Sequence, residues 1–250
     1  MNSTEAIQGG ATVQRQRKGS YGLDAPYLLP LPTLVIAWNL IHGIISKSPW
    51  PFCWAALVAA IVGFGWHSSR RGKFVVWAEL LDQLNLRGDE RILDIGCGRG
   101  AVLLMAAQHL TTGRAVGIDL WIRGDQSGNA MDATFKNAAA EGVAERVELH
   151  TADMTALPFD DHSFDVIVSN IAIHNVSGRE KRARAIEQAV RVLRPGGRLL
   201  IADMRCTGDY QERLSQLGMT DIKRRNLGWR MWWGGPWVPT RLVTANKPRA

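Results

Sequence analysis

Three patterns of apolar and polar positions follow one another along the chain. Residues 1–26 are mostly polar, rich in Gly, Gln and Ser, with basic positions at Arg15, Arg17 and Lys18. A segment with so little apolar surface is expected to be a disordered tail. Residues 27–46, YLLPLPTLVIAWNLIHGIIS, then run for twenty positions without a charge, and residues 51–66, PFCWAALVAAIVGFGW, form a second apolar run of sixteen. A helix rising 1.5 Å per residue needs about 20 residues to cross an apolar layer of about 30 Å, so the first run is long enough and the second slightly short. The pair predicts a transmembrane helical hairpin over 27–70; the alternative is an apolar cap folded onto the chain's own core or onto a second subunit. From residue 71 the pattern changes to alternating helix and strand. Residues 74–86 read as an amphipathic helix, 91–95 as a buried strand, and Leu103, Ala106, Ala107 and Leu110 repeat at helical spacing. A helix near 210–217 and strands near 221–226 and 241–245 close the chain.

Charge adds an orientation to the hairpin. Arg15, Arg17 and Lys18 precede it, Arg70, Arg71 and Lys73 follow it, and only Lys47 lies between the two runs. By the positive-inside rule both outer ends are cytoplasmic, which places the C-terminal domain in the cytoplasm under a membrane anchor. Trp38, Trp50, Trp54 and Trp66 stand in these runs, three of them at segment edges, where indoles prefer the headgroup level. Asn39 and His42 are polar positions within the first run, explained either by interhelical hydrogen bonding or by function. The net charge of +7 has a second focus at the C-terminus, where residues 221–250 hold seven basic side chains against Asp221, together with Trp229, Trp232, Trp233 and Trp237. Cys53, Cys97 and Cys206 form no CxxC pair and no metal-ligand spacing, so neither a disulfide framework nor a metal site is expected.

The candidate chemistry begins where the strand at 91–95 meets Gly96-Cys97-Gly98-Arg99-Gly100. Glycines at a strand-to-helix turn let the backbone approach a ligand and direct amides at it from a helix N-terminus. Gly96, Gly98 and Ala101 also satisfy the G-x-G-x-x-G/A pattern of dinucleotide-binding proteins, and the following strand ends in Asp119, an acid placed to accept from ribose hydroxyls. These features suit a nicotinamide cofactor and S-adenosylmethionine (SAM) alike. Cys97 occupies a position that requires a small residue and is not expected to be a nucleophile, and 195–197 (Pro-Gly-Gly) is expected to end a helix and turn into the next strand.

The turn with Asp94, the segment TADMTALPFDDHSFDVIVSN at 151–170 and LRPGGRLLIAD at 193–203 occur in an order that closely resembles class I SAM-dependent methyltransferases, over roughly residue 73 to the C-terminus. The resemblance implies a Rossmann-like α/β fold, a seven-stranded, mostly parallel sheet with helices on both faces, ending in an antiparallel hairpin, with the ligand at the carboxyl ends of the strands. It implies SAM as cofactor. Asp94 and the loop of Gly96, Cys97, Gly98 and Gly100 would face its methionyl part, and Asp119 its ribose. Leu120 and Trp121 would offer apolar area to the adenine, Asp153 would accept from the adenine amino group beside Met154, and Asn170 would complete the cofactor wall. Asp119 as a helix cap and Asp153 as a turn residue are the structural alternatives. In the loop after the strand DVIVSN, His174 is the candidate base, or else a residue that orients the substrate.

Residues 169–172 read Ser-Asn-Ile-Ala and lack the Asn/Asp-Pro-Pro-aromatic tetrad of many nucleic-acid amino-methyltransferases, so no nucleic-acid partner is expected. The loop and the RVLRPGG block are similar to the C-methyltransferases of ubiquinone and menaquinone synthesis. With the apolar hairpin and the Trp-rich basic region, this favours a lipophilic or membrane-presented small molecule as methyl acceptor. A soluble acceptor, a tethered SAM-binding module without catalysis and a nicotinamide-dependent oxidoreductase are the alternatives.

Overall fold

The computed structural model describes residues 17–24, 30–122 and 124–249. Helices α1 (Pro30–Ser46) and α2 (Trp50–His67) pack side by side as a hairpin. Lys47 closes α1 in the left-handed region (φ 51°), and Pro51 stands at the start of α2, where its missing N–H costs nothing. Asn39 satisfies its amide within its own helix, Nδ2 donating to the Val35 carbonyl at 2.8 Å.

The second helix does not stop at the expected boundary near residue 70. It passes through a π-turn at Ser68–Gly72 into α3 (Lys73–Gln83), so that one continuous helix runs over Trp50–Gln83. The turn is held by the C-terminal segment, with Ser68 Oγ donating to the Trp232 carbonyl at 2.6 Å. Gly72 is required there, because a Cβ would lie 1.6 Å from the Arg230 carbonyl oxygen. The helical hairpin and the domain are thus joined without a linker.

Seven strands follow, β1 (Arg91–Ile95), β2 (Arg114–Asp119), β3 (Val147–Thr151), β4 (Phe164–Asn170), β5 (Leu193–Asp203), β6 (Thr220–Asn226) and β7 (Arg241–Asn246), interleaved with α4 (Ala101–Gln108), α5 (Met131–Glu141), α6 (Arg179–Val192) and α7 (Thr207–Gln216). The sheet order is β3-β2-β1-β4-β5-β7-β6, parallel except for β7, which runs antiparallel to both neighbours. This is the Rossmann-like methyltransferase architecture expected from the sequence. The reversal of strand order between β1 and β4 opens the crevice in which such folds bind ligands.

Both sheet faces are covered, which is why the strands read as nearly continuous apolar runs. Ile92, Ala115, Val166, Val168, Leu200 and Ala202 pack beneath α3, α4 and α5, while their alternating neighbours Leu93, Val116, Ile167, Leu199 and Ile201 pack beneath α6 and α7. Residues 195–197 form an irregular start to β5, where the pairing with β4 shifts register and Gly196 adopts φ 76°.

The expected tail is ordered in part. Residues 17–24 lie along the domain: the Lys18 and Gly19 amides and the Tyr21 hydroxyl donate to Glu141 Oε1, and the Ser20 amide donates to Asn137 Oδ1. Tyr21 supplies the apolar content that holds this strap, buried edge-on against Phe74 at 5.1 Å. The rest of the expected tail, 1–16 with 25 and 26, lies outside the described residues.

Candidate active site

Strand parity alone sends two carboxylates to one place. Asp94 shares the face of Ile92, and Asp119 shares the face of Ala115 on the neighbouring strand, so both carboxylates lie at the carboxyl ends of β1 and β2 on the α4 side. Between them the glycine turn folds back, the Gly96 and Cys97 amides donating to the Ile118 carbonyl at 2.9 and 3.0 Å. Gly96 has φ 73°, and a Cβ on it would lie 2.2 Å from that of Ala172, which explains why no larger residue fits.

A cavity of about 600 Å³ opens there, within the size range of small-molecule sites. Of the residues expected to bind cofactor, Asp94, Gly96, Cys97, Gly98, Asp119, Leu120, Asp153, Met154 and Asn170 line it, as does His174. Gly100 and Trp121 do not. Gly100 instead caps α4 in the left-handed region, and Trp121, at φ 58°, turns its indole to donate to Thr151 Oγ1 at 2.8 Å. Asp153 lines the cavity and is also a turn residue, its Oδ1 accepting from the amide and hydroxyl of Thr155.

The carboxylates at the ends of β1 and β2 favour a cation at that corner of the cavity. Asp94 is 2 % exposed, and its Oδ1 has no hydrogen-bond partner. Burial first, and the neighbouring Asp119 charge second, push its carboxyl up to about 8. Asp125 is raised by burial and again by Asp119, and the Cys97 thiol is raised by burial and by Asp94 and Asp119, so it is no thiolate nucleophile. Asp119 is partly engaged: Oδ2 accepts from the Gly98 amide at 2.8 Å, and Oδ1 from the Trp121 amide at 2.6 Å and Asn129 Nδ2 at 3.2 Å. A buried acceptor without a donor, beside a second carboxylate, matches an ammonium-bearing ligand with a ribose diol, and in this respect the residues fit SAM.

On the other side of the cavity, β4 ends at Asn170, whose Oδ1 accepts from the Trp77 indole of α3 at 2.8 Å. Ile171 follows at φ 53°, a conformation costing about 1–3 kcal/mol for a β-branched residue, and redirects the chain into the turn that carries His174. His174 Nδ1 lies 2.6 Å from Asp203 Oδ1, and its amide donates to Asp203 Oδ2 at 3.0 Å. Asp203 is fully buried at the end of β5 and also accepts from the Tyr210 hydroxyl and the Met204 amide. Nδ1 is within ion-pair distance of the carboxylate but outside hydrogen-bond alignment, and His174 is tied to Asp203 through its backbone amide.

Sequence reasoning missed several of these positions. Asp203 ends the quoted strand LRPGGRLLIAD, and its place at a carboxyl strand end was the available signal. Asp24, Lys73 and Gln126 carried none. They meet through tertiary packing, Lys73 Nζ donating to Asp24 Oδ2 at 2.7 Å, Gln126 Nε2 to Asp24 Oδ1 at 2.8 Å, and the Arg99 amide to Gln126 Oε1 at 2.8 Å. The strap and the start of α3 are thereby tied to the glycine turn.

Residues 93–201 match the family described as a methyltransferase domain. The chain is 32 % identical over 129 residues to the ubiquinone/menaquinone biosynthesis C-methyltransferase UbiE of Roseobacter denitrificans, covering 51 % of this chain and 48 % of that protein. It is 37 % identical over 124 residues to the 27-O-demethylrifamycin SV methyltransferase of Amycolatopsis mediterranei, covering 50 % and 42 %. The chain thus spans about half the length of these relatives. Among solved structures, a SAM-dependent methyltransferase from Aquifex aeolicus superposes with TM-score 0.53 at 18 % identity, covering 67 % of this chain and 87 % of that one. Geranyl diphosphate C-methyltransferase from Streptomyces coelicolor gives 0.55 at 17 % identity, covering 68 % and 78 %, and the [4+2]-cyclase SpnF gives 0.56 at 21 %, covering 69 % and 82 %. The parallel order broken only by β7, the glycine turn between two strand-end carboxylates and the sequence matches agree: residues 93–201 form a methyltransferase domain on the Rossmann-like fold of SAM-dependent methyltransferases, similar to the ubiquinone/menaquinone-biosynthesis C-methyltransferases.

Proposed function

We propose that this protein transfers a methyl group from SAM to a lipophilic small molecule presented by a membrane in which its helical hairpin is anchored. The observation that carries the lipophilic half is the adjacency of the hairpin base and the cavity. Trp233 lines the cavity, and its neighbour Trp232 packs edge-on against Phe64 of α2 at 5.5 Å. An acceptor held in an apolar layer around α2 would therefore arrive beside the cavity wall. The named quinone-pathway C-methyltransferase relatives and the fold-level likeness to geranyl diphosphate C-methyltransferase support this reading.

SAM supplies a methyl already activated on a sulfonium, so the work of the protein is alignment and exclusion of water. In this reading Asp94 holds the ammonium of the methionyl part, Asp119 accepts from the ribose hydroxyls, and the Gly96 to Gly98 backbone shapes the turn between them. Leu120 and Met154 offer apolar contact and Asp153 a polar one to the purine. His174 takes a proton from the acceptor while Asp203, bonded to Tyr210, holds its backbone in place. The hairpin sets the domain on the cytoplasmic face, following the basic residues that flank it.

The experiment compares the full chain in vesicles with the full chain in detergent, assaying methyl transfer from labelled SAM into lipid extract and into water-soluble acceptors. Label in the lipid fraction, enhanced in vesicles, is expected. Transfer to soluble acceptors alone would remove the lipophilic half, and SAM binding without any product would leave a tethered binding module.

A further inference from the structure

A second cavity, of about 920 Å³, lies outside the site described above, where the apolar run ends and the domain begins. Its wall includes Arg17 from the strap, His67, Arg70 and Arg71 from the helix around the π-turn, and the aromatic residues Tyr21 and Trp229. Among the described residues neither Arg17, Arg70 nor Arg71 forms an ion pair with a carboxylate. The nearby acids are committed elsewhere, Asp24 to Ser69 and Lys73. Glu79 forms a two-pronged pair with Arg230 at 2.6 and 2.9 Å, and Glu141 Oε1 accepts from the Lys18 and Gly19 amides and the Tyr21 hydroxyl. Arg17 is held in place without an anion, its Nη1 donating to the Arg70 carbonyl at 3.1 Å and its Cζ 3.7 Å over the Phe74 ring. Burial lowers its guanidinium from the ordinary value, with the charges of Arg71 and Arg70 acting in the same direction and that of Glu141 against them. Three cations from two chain segments thus converge on a concave wall and, among the described residues, pair directly with no carboxylate.

We infer that the cavity formed by Arg17, Arg70 and Arg71 at the foot of the hairpin binds the phosphate of an anionic phospholipid headgroup. A phosphodiester offers several acceptor oxygens to the guanidinium forks, whose geometry suits two-pronged binding of phosphate. The position separates a lipid from free phosphate. Arg70 follows the last residues of the apolar run, its Cζ 5.1 Å from the Trp66 ring, and His67 stacks on Trp229 at 5.0 Å. Trp66 and Trp229 are both about half exposed, so apolar surface adjoins the cationic wall, as acyl chains beside a headgroup require. This inference rests on the membrane reading above and specifies the lipid that would occupy its edge.

The test is native mass spectrometry of the full chain in mild detergent, with dispersed phosphatidylglycerol, phosphatidylcholine or inorganic phosphate added. The wild type is expected to retain one phosphatidylglycerol. Retention should fall at least about tenfold in Arg70→Gln/Arg71→Gln and stay unchanged in Lys223→Gln/Arg224→Gln, which removes the same charge from exposed positions of β6. Should the double variant fail to fold, Arg17→Gln alone is expected to weaken retention in the same direction. Equal retention of phosphatidylcholine, equal loss in the β6 variant, or displacement of the lipid by inorganic phosphate at equal concentration would each overturn the proposal. Flotation of the wild type with pure phosphatidylcholine vesicles tests the membrane reading separately: a chain that fails to float loses that reading, whereas one that floats without phosphatidylglycerol selectivity loses only this site.

Discussion

The hairpin and the domain spend the same residue types in opposite ways. In the domain, Leu103, Leu104 and Trp77 are wholly buried between helices and sheet, whereas in the hairpin Trp38, Ile44 and Ile45 are 69 %, 70 % and 75 % exposed. Burying apolar area stabilises by about 25 cal/mol per Å², so the domain generates its own apolar phase while the hairpin needs one from outside. Among the described residues nothing in the chain covers that surface. One helix passes from the first regime to the second, and the change falls at the π-turn of Ser68–Gly72, where Arg70 and Arg71 end the apolar run. Among the described residues the hairpin meets the domain near its foot, with Phe64 on Trp232 and Ile61 beside Gly234.

The comparison yields graded expectations. Within the domain, His174→Gln should leave the fold and SAM affinity intact and lower turnover by about 10²–10⁴-fold, as expected for loss of a general base; steady-state rates beside a SAM titration check it, and an unchanged kcat would leave His174 a positioning residue only. Leu103→Ala should cost about 2–5 kcal/mol in urea unfolding, the range for opening a cavity in a packed core.

A third expectation concerns pH. Burial and the neighbouring Asp119 charge hold the Asp94 carboxyl up at about 8. A cationic ligand needs its ionised form, so binding releases a proton. SAM affinity should rise about tenfold per pH unit from about pH 6 towards 8 and then level off. Asp94→Asn should bind weakly with a flat profile, and a sloped profile in that variant would assign the proton elsewhere. The smallest effect belongs to the hairpin: Ile45→Ala should shift the domain's unfolding by no more than about 0.5 kcal/mol, since the side chain it trims touches no core. A cost near that of Leu103→Ala would erase the contrast between the two regions.

Much of the domain was legible because its signals are local. The strand expected at 91–95 is β1, the acid expected at the end of the next strand is Asp119, and the closing hairpin is β6 and β7. What could not be read depends on partners distant in sequence. His174 and Asp203 stand 29 residues apart on different strand ends and Asp24 and Lys73 stand 49 apart, and neither spacing has a local signature. The polar residues of the π-turn interrupt the apolar pattern and so resemble a linker, although Gly72 packing on the Arg230 carbonyl keeps the helix continuous through them. The strap at 17–24 resembles a tail because its contacts are mainly backbone amides, which composition does not record.

The central claim is that the glycine turn and Asp119 jointly hold SAM. Isothermal titration calorimetry of SAM into the folded full chain should give one site per chain, and Asp119→Ala should weaken it by about 100-fold, two charge-assisted hydrogen bonds at about 1.5 kcal/mol each, in a variant whose circular dichroism shows the native fold. No heat with the intact protein, or equal affinity in the variant, would contradict the account.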